Sequence, residues 1–446
     1  MKICNLPAAI DYKEIHLFAK YVQMTGAHLV SLPTWTWFRH HQEKIVTALL
    51  RGKQEEACLC GKALREDFTD ALHVLDLTEK CGETVTQEFE RYGTIIGHLH
   101  LHAWDADMER ELSLITAQAS ALLFAAFLRR EGMKAVWLDA REFMPFGQDG
   151  YPDLKALRKN EDELDKDTTY VLATGFGHNP MKCHEEFHGG NEVYAAYLAA
   201  ACRGELCIRQ QEDSLETVGH EPMYCPKTHY TLTYDDADRL VHNGIQLVSP
   251  ACIEVAREFH IPVSLTRGGD DMQAWMQIDD SHPDTPLRCV AGHRDVSYIR
   301  VRSLGTVTAF RFIQKVLAVF ADCKVDILLM TSSNLNVSVA VKRDETAFRK
   351  IQEALASFAE TSIEAAASVI SIIGQLSDTH TSIEQQAIDL LKDIPILMIS
   401  YGSDSRCVSI VLREDDLRKA LGILAEACLK IPQTVGNHSP YAGFID

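Results

Sequence analysis

Gly189 and Gly190 stand just before Glu192 to Cys202, a stretch with helical spacing. A glycine pair that opens a helix can offer backbone N–H groups and the positive end of the helix dipole to an anion. The same pair also reads as a plain turn that binds nothing. His98, His100 and His102 alternate as His-Leu-His-Leu-His. On a strand they share one face, a geometry able to hold a metal. Cys183, His184 and His188 form another set of possible ligands, and Asp105, Asp107 and Glu109 lie close to the first in sequence. An exposed histidine-rich strand and loop is the better account of both sets, so no metal is assigned. Trp35, Trp37 and Phe38 could form an aromatic binding wall, or pack a loop against the core. The 13 cysteines are scattered without a CxxC pair, and Cys58 and Cys60 are the nearest neighbours, a spacing that suits neither zinc nor thioredoxin-type chemistry.

The elements that must position these groups alternate in type. Lys13 to Thr25 is predicted helical, and Ala27 to Leu32 a buried strand. A long apolar helix is expected over Leu114 to Arg130, followed by strands over Met133 to Leu138 and Thr168 to Ala173. The helix Glu192 to Cys202 precedes a strand over Glu205 to Arg209. This alternation indicates a layered α/β architecture. Gly268 to Pro286, rich in Gly, Asp and Pro, breaks the pattern and is read as a domain boundary. Beyond it, strands over Asp295–Val301, Val325–Met330 and Asn336–Val341 alternate with helices over Phe312–Phe320 and Glu345–Phe358. The theme repeats through Ala367–Ile373, Ile383–Leu391, Ile396–Ser400, Cys407–Leu412 and Glu414–Cys428, which fits two ferredoxin-like βαββαβ units.

The bulk numbers bound the partners. A chain of 446 residues calls for two or three domains, and 46% hydrophobic with 24% charged residues supports ordinary cores. A net charge of −19 argues against a main role in gripping nucleic acid or anionic lipid. Ala119 to Leu128, the most apolar stretch, is about half the length needed to cross a bilayer. The opening residues show no signal-peptide core, so a cytoplasmic location is expected.

Several short stretches, in order and spacing, resemble aspartate kinases. In the C-terminal half these are Val301-Arg302-Ser303-Leu304, Phe312 to Val316, Thr331-Ser332-Ser333, Ser400 to Ser405 and Cys407 to Leu412. They are similar to the tandem ACT region of that family, above all the lysine-regulated kind. Upstream, Thr233 to Ala237 through Gly244, Ser249-Pro250 and Ile261-Pro262-Val263 resemble the end of its kinase domain. Thr174-Gly175-Phe176, and Gly189 to Glu192 followed by Tyr194 to Leu198, resemble two inner motifs. The resemblance implies an α/β fold: an amino acid kinase-like three-layer domain over residues 1–270, then ACT domains over 287–363 and 364–446. It implies ATP and Mg²⁺ as cofactors if the chain is active, with none otherwise. By the same resemblance, Gly189, Gly190, Asn191 and Glu192 are nucleotide- or phosphate-binding candidates, and Ser31 a substrate contact or a strand-end cap.

Against the family pattern, the opening strand reads Ile3-Cys4-Asn5-Leu6-Pro7-Ala8 where Lys-Phe-Gly-Gly-Thr-Ser is expected. Glycine lets backbone N–H groups crowd phosphate oxygens, and the lysine offsets charge developing in the transition state. The long helix carries Thr116-Ala117 in place of the family's Gly-Glu, and Gln210 to Ser214 replaces an Asp-Val-Asp-Gly loop. His188 stands for the arginine of Arg-Gly-Gly-Ser-Asp. Catalytic impairment is therefore expected, with a ligand-sensing or regulatory role through an ACT dimer. The alternative is an active kinase acting on aspartate or a related carboxylate, in which Lys2, Gly189, Gly190, Glu192 and Asp213 converge on one cleft. In the ACT half, Ser303, Asp326 and Asn334 are effector-contact candidates, and Arg311, where lysine-sensitive relatives have glycine, disfavours lysine. The partners expected are an amino acid effector, a second copy of the chain, and a partner enzyme that such a regulator would act on.

Overall fold

The computed structural model describes residues 1–9, 11–77, 106–147, 151–174, 190–210, 220–224, 230–242, 247–267, 272–281, 287–305, 308–374, 383–401 and 407–429. In chain order its elements begin with β1 (Lys2–Asn5), α1 (Tyr12–Thr25), β2 (Leu29–Leu32), α2 (Thr36–Leu50), α3 (Gln54–Val74) and α4 (Ala106–Arg130). Next come β3 (Ala135–Leu138), α5 (Ala140–Phe143), α6 (Leu154–Asp162), β4 (Thr169–Ala173), α7 (Gly190–Cys202) and β5 (Glu205–Arg209). Then follow β6 (His220–Tyr224), β7 (Tyr230–Leu232), α8 (Tyr234–His242), α9 (Pro250–Glu258), β8 (Val263–Thr266) and β9 (Ala274–Ile278). The last are β10 (Leu287–Ser303), α10 (Ala309–Asp322), β11 (Ile327–Ser333), β12 (Asn336–Lys342), α11 (Glu345–Leu355), β13 (Ala359–Gly374), α12 (Ile383–Leu390), β14 (Ile396–Ser400), β15 (Cys407–Arg413) and α13 (Leu417–Leu429). They fall into two compact units, residues 1–212 with 248–280, and residues 213–247 with 281–446.

In the first unit the strands lie in the order β3-β4-β2-β1-β5-β8-β9. All neighbours pair in parallel except β9, which runs antiparallel to β8. β2 and β4 are buried along their whole length, as expected of inner parallel strands covered on both faces. Helix α1 starts where the Asp11 carboxylate accepts from the N–H groups of Lys13 (2.8 Å) and Glu14 (3.1 Å). It stops at Gly26, whose left-handed φ of 64° an L side chain resists. Its buried face is Ile15, Phe18, Ala19, Tyr21 and Val22. Ile115 to Leu128 on α4 are all buried too, so that half of the helix is enclosed on every side and serves as core. The stretch 268–286, read from sequence as an irregular boundary, contains β9. Its five residues are too short, amid Gly, Asp and Pro, to announce a strand.

Gly204, between α7 and β5, has no room for a side chain: a Cβ there would lie 2.5 Å from the Met1 carbonyl oxygen. Backbone cannot move aside cheaply, so Gly204→Ala is expected to cost about 1–3 kcal/mol. All five tryptophans (35, 37, 104, 137 and 275) belong to the first unit, so urea unfolding followed by their fluorescence reads this change without interference from the second.

In the second unit the strand order is β11-β12-β10-β13-β15-β14, with β6 pairing antiparallel to β10. β10 and β13 are 17 and 16 residues long, and each serves two sub-sheets. The later part of β10 pairs with β12 (Val296↔Lys342 to Arg302↔Asn336), building β10-α10-β11-β12-α11-β13. Its earlier part pairs with the end of β13 (Cys289↔Ile373 to His293↔Val369), which in turn pairs with β15. Two ferredoxin-like βαββαβ units result, as expected, but the closing strand of the second lies ahead of the first in sequence. The register shifts between His293 and Val296 mark where the shared strand passes from one to the other. Phe312, Val316 and Phe320 of α10, with Phe348 and Ile351 of α11, cover Ile299, Val301, Val337 and Val339. Leu417, Leu421 and Leu424 of α13 cover Ile370, Ile372, Val408 and Ile410.

Candidate functional site

At the C-terminal edge of the parallel strands in the first unit, four neutral polar side chains meet. Open α/β sheets bind ligands at this edge. Asn5 ends β1, Ser31 lies near the end of β2, Thr174 follows β4, and Asn191 stands in the first turn of α7. Ser31 Oγ donates to Asn5 Oδ1 at 3.2 Å or to Asn191 Oδ1 at 2.8 Å, and shares a 2.6 Å bond with Thr174 Oγ1. Thr174 Oγ1 also donates to Asn191 Oδ1. Asn191 Nδ2 donates to Asn5 Oδ1 at 2.5 Å and to the Leu6 carbonyl at 3.0 Å. The side chains thus satisfy one another, and Asn5, Ser31 and Thr174 are buried. Leu6, whose N–H donates to the Ser31 carbonyl at 3.0 Å, is itself fully enclosed, as is Ile3.

Gly190 begins α7 at a φ of 58°, which only glycine adopts freely. Glu192 turns away from the four: its Oε2 accepts from Ser249 N at 2.5 Å. Burial pushes its carboxyl above the ordinary value of 4.5, against the opposing pull of the Ser249 N–H. A group whose folded pKa is raised contributes stability that is complete below about 4.5 and is lost as pH climbs through the folded value. Glu192→Gln keeps an acceptor for Ser249 and removes that loss. Its tryptophan-monitored urea midpoint should therefore exceed wild type at about pH 7 and match it at about pH 4. Equal midpoints at both would mean that Glu192 ionises freely. Cys252, fully buried, is pushed well above its usual value by burial and by Glu192, so its thiol stays protonated and inert.

Of the residues singled out from sequence, Ser31, Gly190, Asn191 and Glu192 gather at this edge, while Gly189 lies outside the described residues. Asn5 and Thr174 were not singled out as site residues; their signal was a polar residue closing an otherwise apolar strand. Lys2 does not join them. It sits at the opposite end of β1, with Nζ 3.9 Å from Glu205 Oε2. Asp213 and the histidine and cysteine sets at 98–102 and 183–188 also fall outside the described residues. Among those described, no group of three or more His, Cys, Asp or Glu could hold a metal, and no helix is long and apolar enough to cross a membrane. Trp35 is buried, tilted against Trp37 at 5.0 Å and stacked on Phe38 at 5.9 Å: the aromatic trio is core. Ala117, at the family's glutamate position, is buried, and Thr116 Oγ1 donates to Gln42 Oε1 at 2.8 Å.

In the second unit, Ser303 N donates to the Leu335 carbonyl at 2.9 Å, which puts Ser303 beside the β11–β12 turn. Asn334 occupies that turn with a φ of 48°, and is exposed. Asp326 precedes β11, a full seven-residue strand away. Ser303 instead lines a cavity of about 250 Å³ with Gly305, Phe312, Lys315, Ser357 and Phe358. Lys315 Nζ lies 5.5 Å from the centre of the Phe358 ring.

No family model matches the chain. Aspartokinase 3 of Arabidopsis thaliana, a chloroplast protein, is 24% identical over 337 residues, covering 70% of this chain and 58% of the relative, less than two thirds of its length. The lysine-sensitive aspartokinase 3 of Escherichia coli is 21% identical over 327 residues, 68% of this chain and 71% of the relative. The fold matches Escherichia coli aspartokinase III in complex with lysine and aspartate at a TM-score of 0.75 and 18% identity, over 96% of this chain and 99% of that one. Clostridium acetobutylicum aspartate kinase matches at 0.72 and 14%, over 97% and 100%. The first unit's parallel sheet and the paired ferredoxin-like units that share strands give the chain the fold of these aspartate kinases, and over about 70% of its length its sequence is similar to theirs.

Proposed function

We propose that this chain is an aspartate kinase homologue with little or no phosphotransfer, which senses a small ligand through its ACT pair and regulates another protein. The observation that carries this reading is the mutually bonded set Asn5, Ser31, Thr174 and Asn191, with Leu6 and Ile3 enclosed beneath it. A phosphate-handling edge needs backbone N–H groups open to an anion and a cation to offset its charge. Here the polar groups are neutral and already paired. The distance of Lys2 from Gly190 along the strand also weakens the reading in which both serve one active cleft.

The test is calorimetric titration of the full chain with ATP and Mg²⁺, with and without aspartate. The expected result is no heat of binding up to about 1 mM, where an active kinase binds in the micromolar to millimolar range. Micromolar binding together with aspartate-dependent ADP release would overturn the proposal in favour of an active aspartate kinase. Lys315, in the cavity beside Ser303, supports an effector carrying a carboxylate, for which an amino acid is the natural candidate. The functional form in this reading is a cytoplasmic homodimer paired through its ACT units.

A further inference from the structure

The N-terminal edge of the first unit's sheet, opposite the site just described, holds a cavity of about 330 Å³. Its polar walls are Arg158 from α6, Arg203 from the turn between α7 and β5, and His260 from the turn between α9 and β8. Ala200, Phe259 and Pro262 are among its apolar walls.

Several observations separate this cavity from a chance hollow. Arg158 Nε is buried and makes no hydrogen bond among the described residues. A buried donor without a partner is costly, and a ligand acceptor would relieve that cost. Arg203 and His260 both adopt left-handed backbone, with φ of 47° and 53°. Each follows the end of a helix, at a position where glycine or asparagine ordinarily sits. Any other residue there costs roughly 1 kcal/mol. Cations are favoured near helix C-termini, which accounts for Arg203 but leaves Arg158 unexplained. His260 Nδ1 lies 2.5 Å from Asp280 Oδ2, so one carboxylate stands beside the mouth.

We propose that this cavity binds a compact organic anion bearing carboxylate or phosphate. The guanidinium groups of Arg158 and Arg203 take the anionic group, since their planar forks match two oxygens at once. Ala200, Phe259 and Pro262 cover the hydrocarbon part. The volume lies at the lower end of ligand pockets, about 300–1,000 Å³, and so suits a small metabolite rather than a nucleotide.

The experiment titrates the full chain separately with succinate and with inorganic phosphate, in wild type, in Arg203→Gly and in an Arg158→Met, Arg203→Gly double variant. Arg203→Gly relieves left-handed backbone, so it should fold at least as well as wild type, which tryptophan fluorescence checks. The expected result is saturable one-to-one binding of one probe, weakened roughly threefold in Arg203→Gly and at least about tenfold in the double variant. Succinate alone would mark a carboxylate site, phosphate alone a phosphate site, and either supports the proposal. No saturable heat from either probe at about 10 mM would overturn it, as would unchanged affinity in the folded double variant. An equal heat when potassium chloride is titrated in place of the probe at matched ionic strength would overturn it too, by showing unspecific charge attraction.

Discussion

Ile3→Lys is expected to destabilise the first unit by about 4 kcal/mol or more and to leave ATP binding no stronger than in wild type. By family resemblance, position 3 is where the phosphate-side lysine belongs, so the substitution looks like a repair. The surroundings argue otherwise. Ile3 is fully buried in the middle of the sheet, with Leu29 and Leu206 as its strand partners. Its Cδ1 would lie 2.9 Å from a Cβ built on Gly204, which shows how closely the neighbouring turn approaches. A lysine there must either bury its charge, lose its proton or push the turn away. Ile3→Val, which only shortens the side chain, should cost about 0.5–1.5 kcal/mol and serves as the control. Urea unfolding read by tryptophan fluorescence gives both values. A lysine variant that stays as stable as the valine control and gains ATP turnover would show that an open phosphate cleft underlies position 3, and the impaired reading would fail with it.

Asn191→Leu should cost about 3 kcal/mol in the same assay. The leucine is close to isosteric, so the loss reports polar groups rather than volume. Asn5 Oδ1 and the Leu6 carbonyl lose their Asn191 donor, while the hydroxyls of Ser31 and Thr174 lose an acceptor but keep each other at 2.6 Å. A buried polar group left without its partner costs about 1–3 kcal/mol, and the surviving Ser31–Thr174 bond limits the total. Asn191→Asp should fare little better, since it keeps the acceptor and removes the donor that Asn5 and Leu6 use. A leucine variant within about 0.5 kcal/mol of wild type would mean that the four side chains are loosely solvated. They would then be free to turn toward a ligand.

Much of the fold was legible because helix and strand signals are local. The apolar spacing over Lys13 to Thr25 reads as a helix face wherever the rest of the chain goes. The same holds for β5, β14 and β15, whose apolar runs matched their strands within a residue or so. The resemblance to aspartate kinases was legible for a related reason, since it rests on the order and spacing of several short stretches rather than on any one residue.

What the sequence left undecided was every relation between distant residues. Asn5 and Asn191 are 186 positions apart, and nothing in either segment says that their side chains meet. That contact follows from the parallel register Asn5↔Ser31 and from where α7 lands on the sheet. Likewise no pattern near Leu287 shows that one strand closes the second ferredoxin-like unit and opens the first. The pairing with Ile373 and Val369 is fixed only when both cores are packed. Residue type and periodicity decided what each segment becomes. Only the tertiary structure decided that Asn5, Ser31, Thr174 and Asn191 would pair with one another at the strand ends, because polar satisfaction there depends on four chain segments meeting at once.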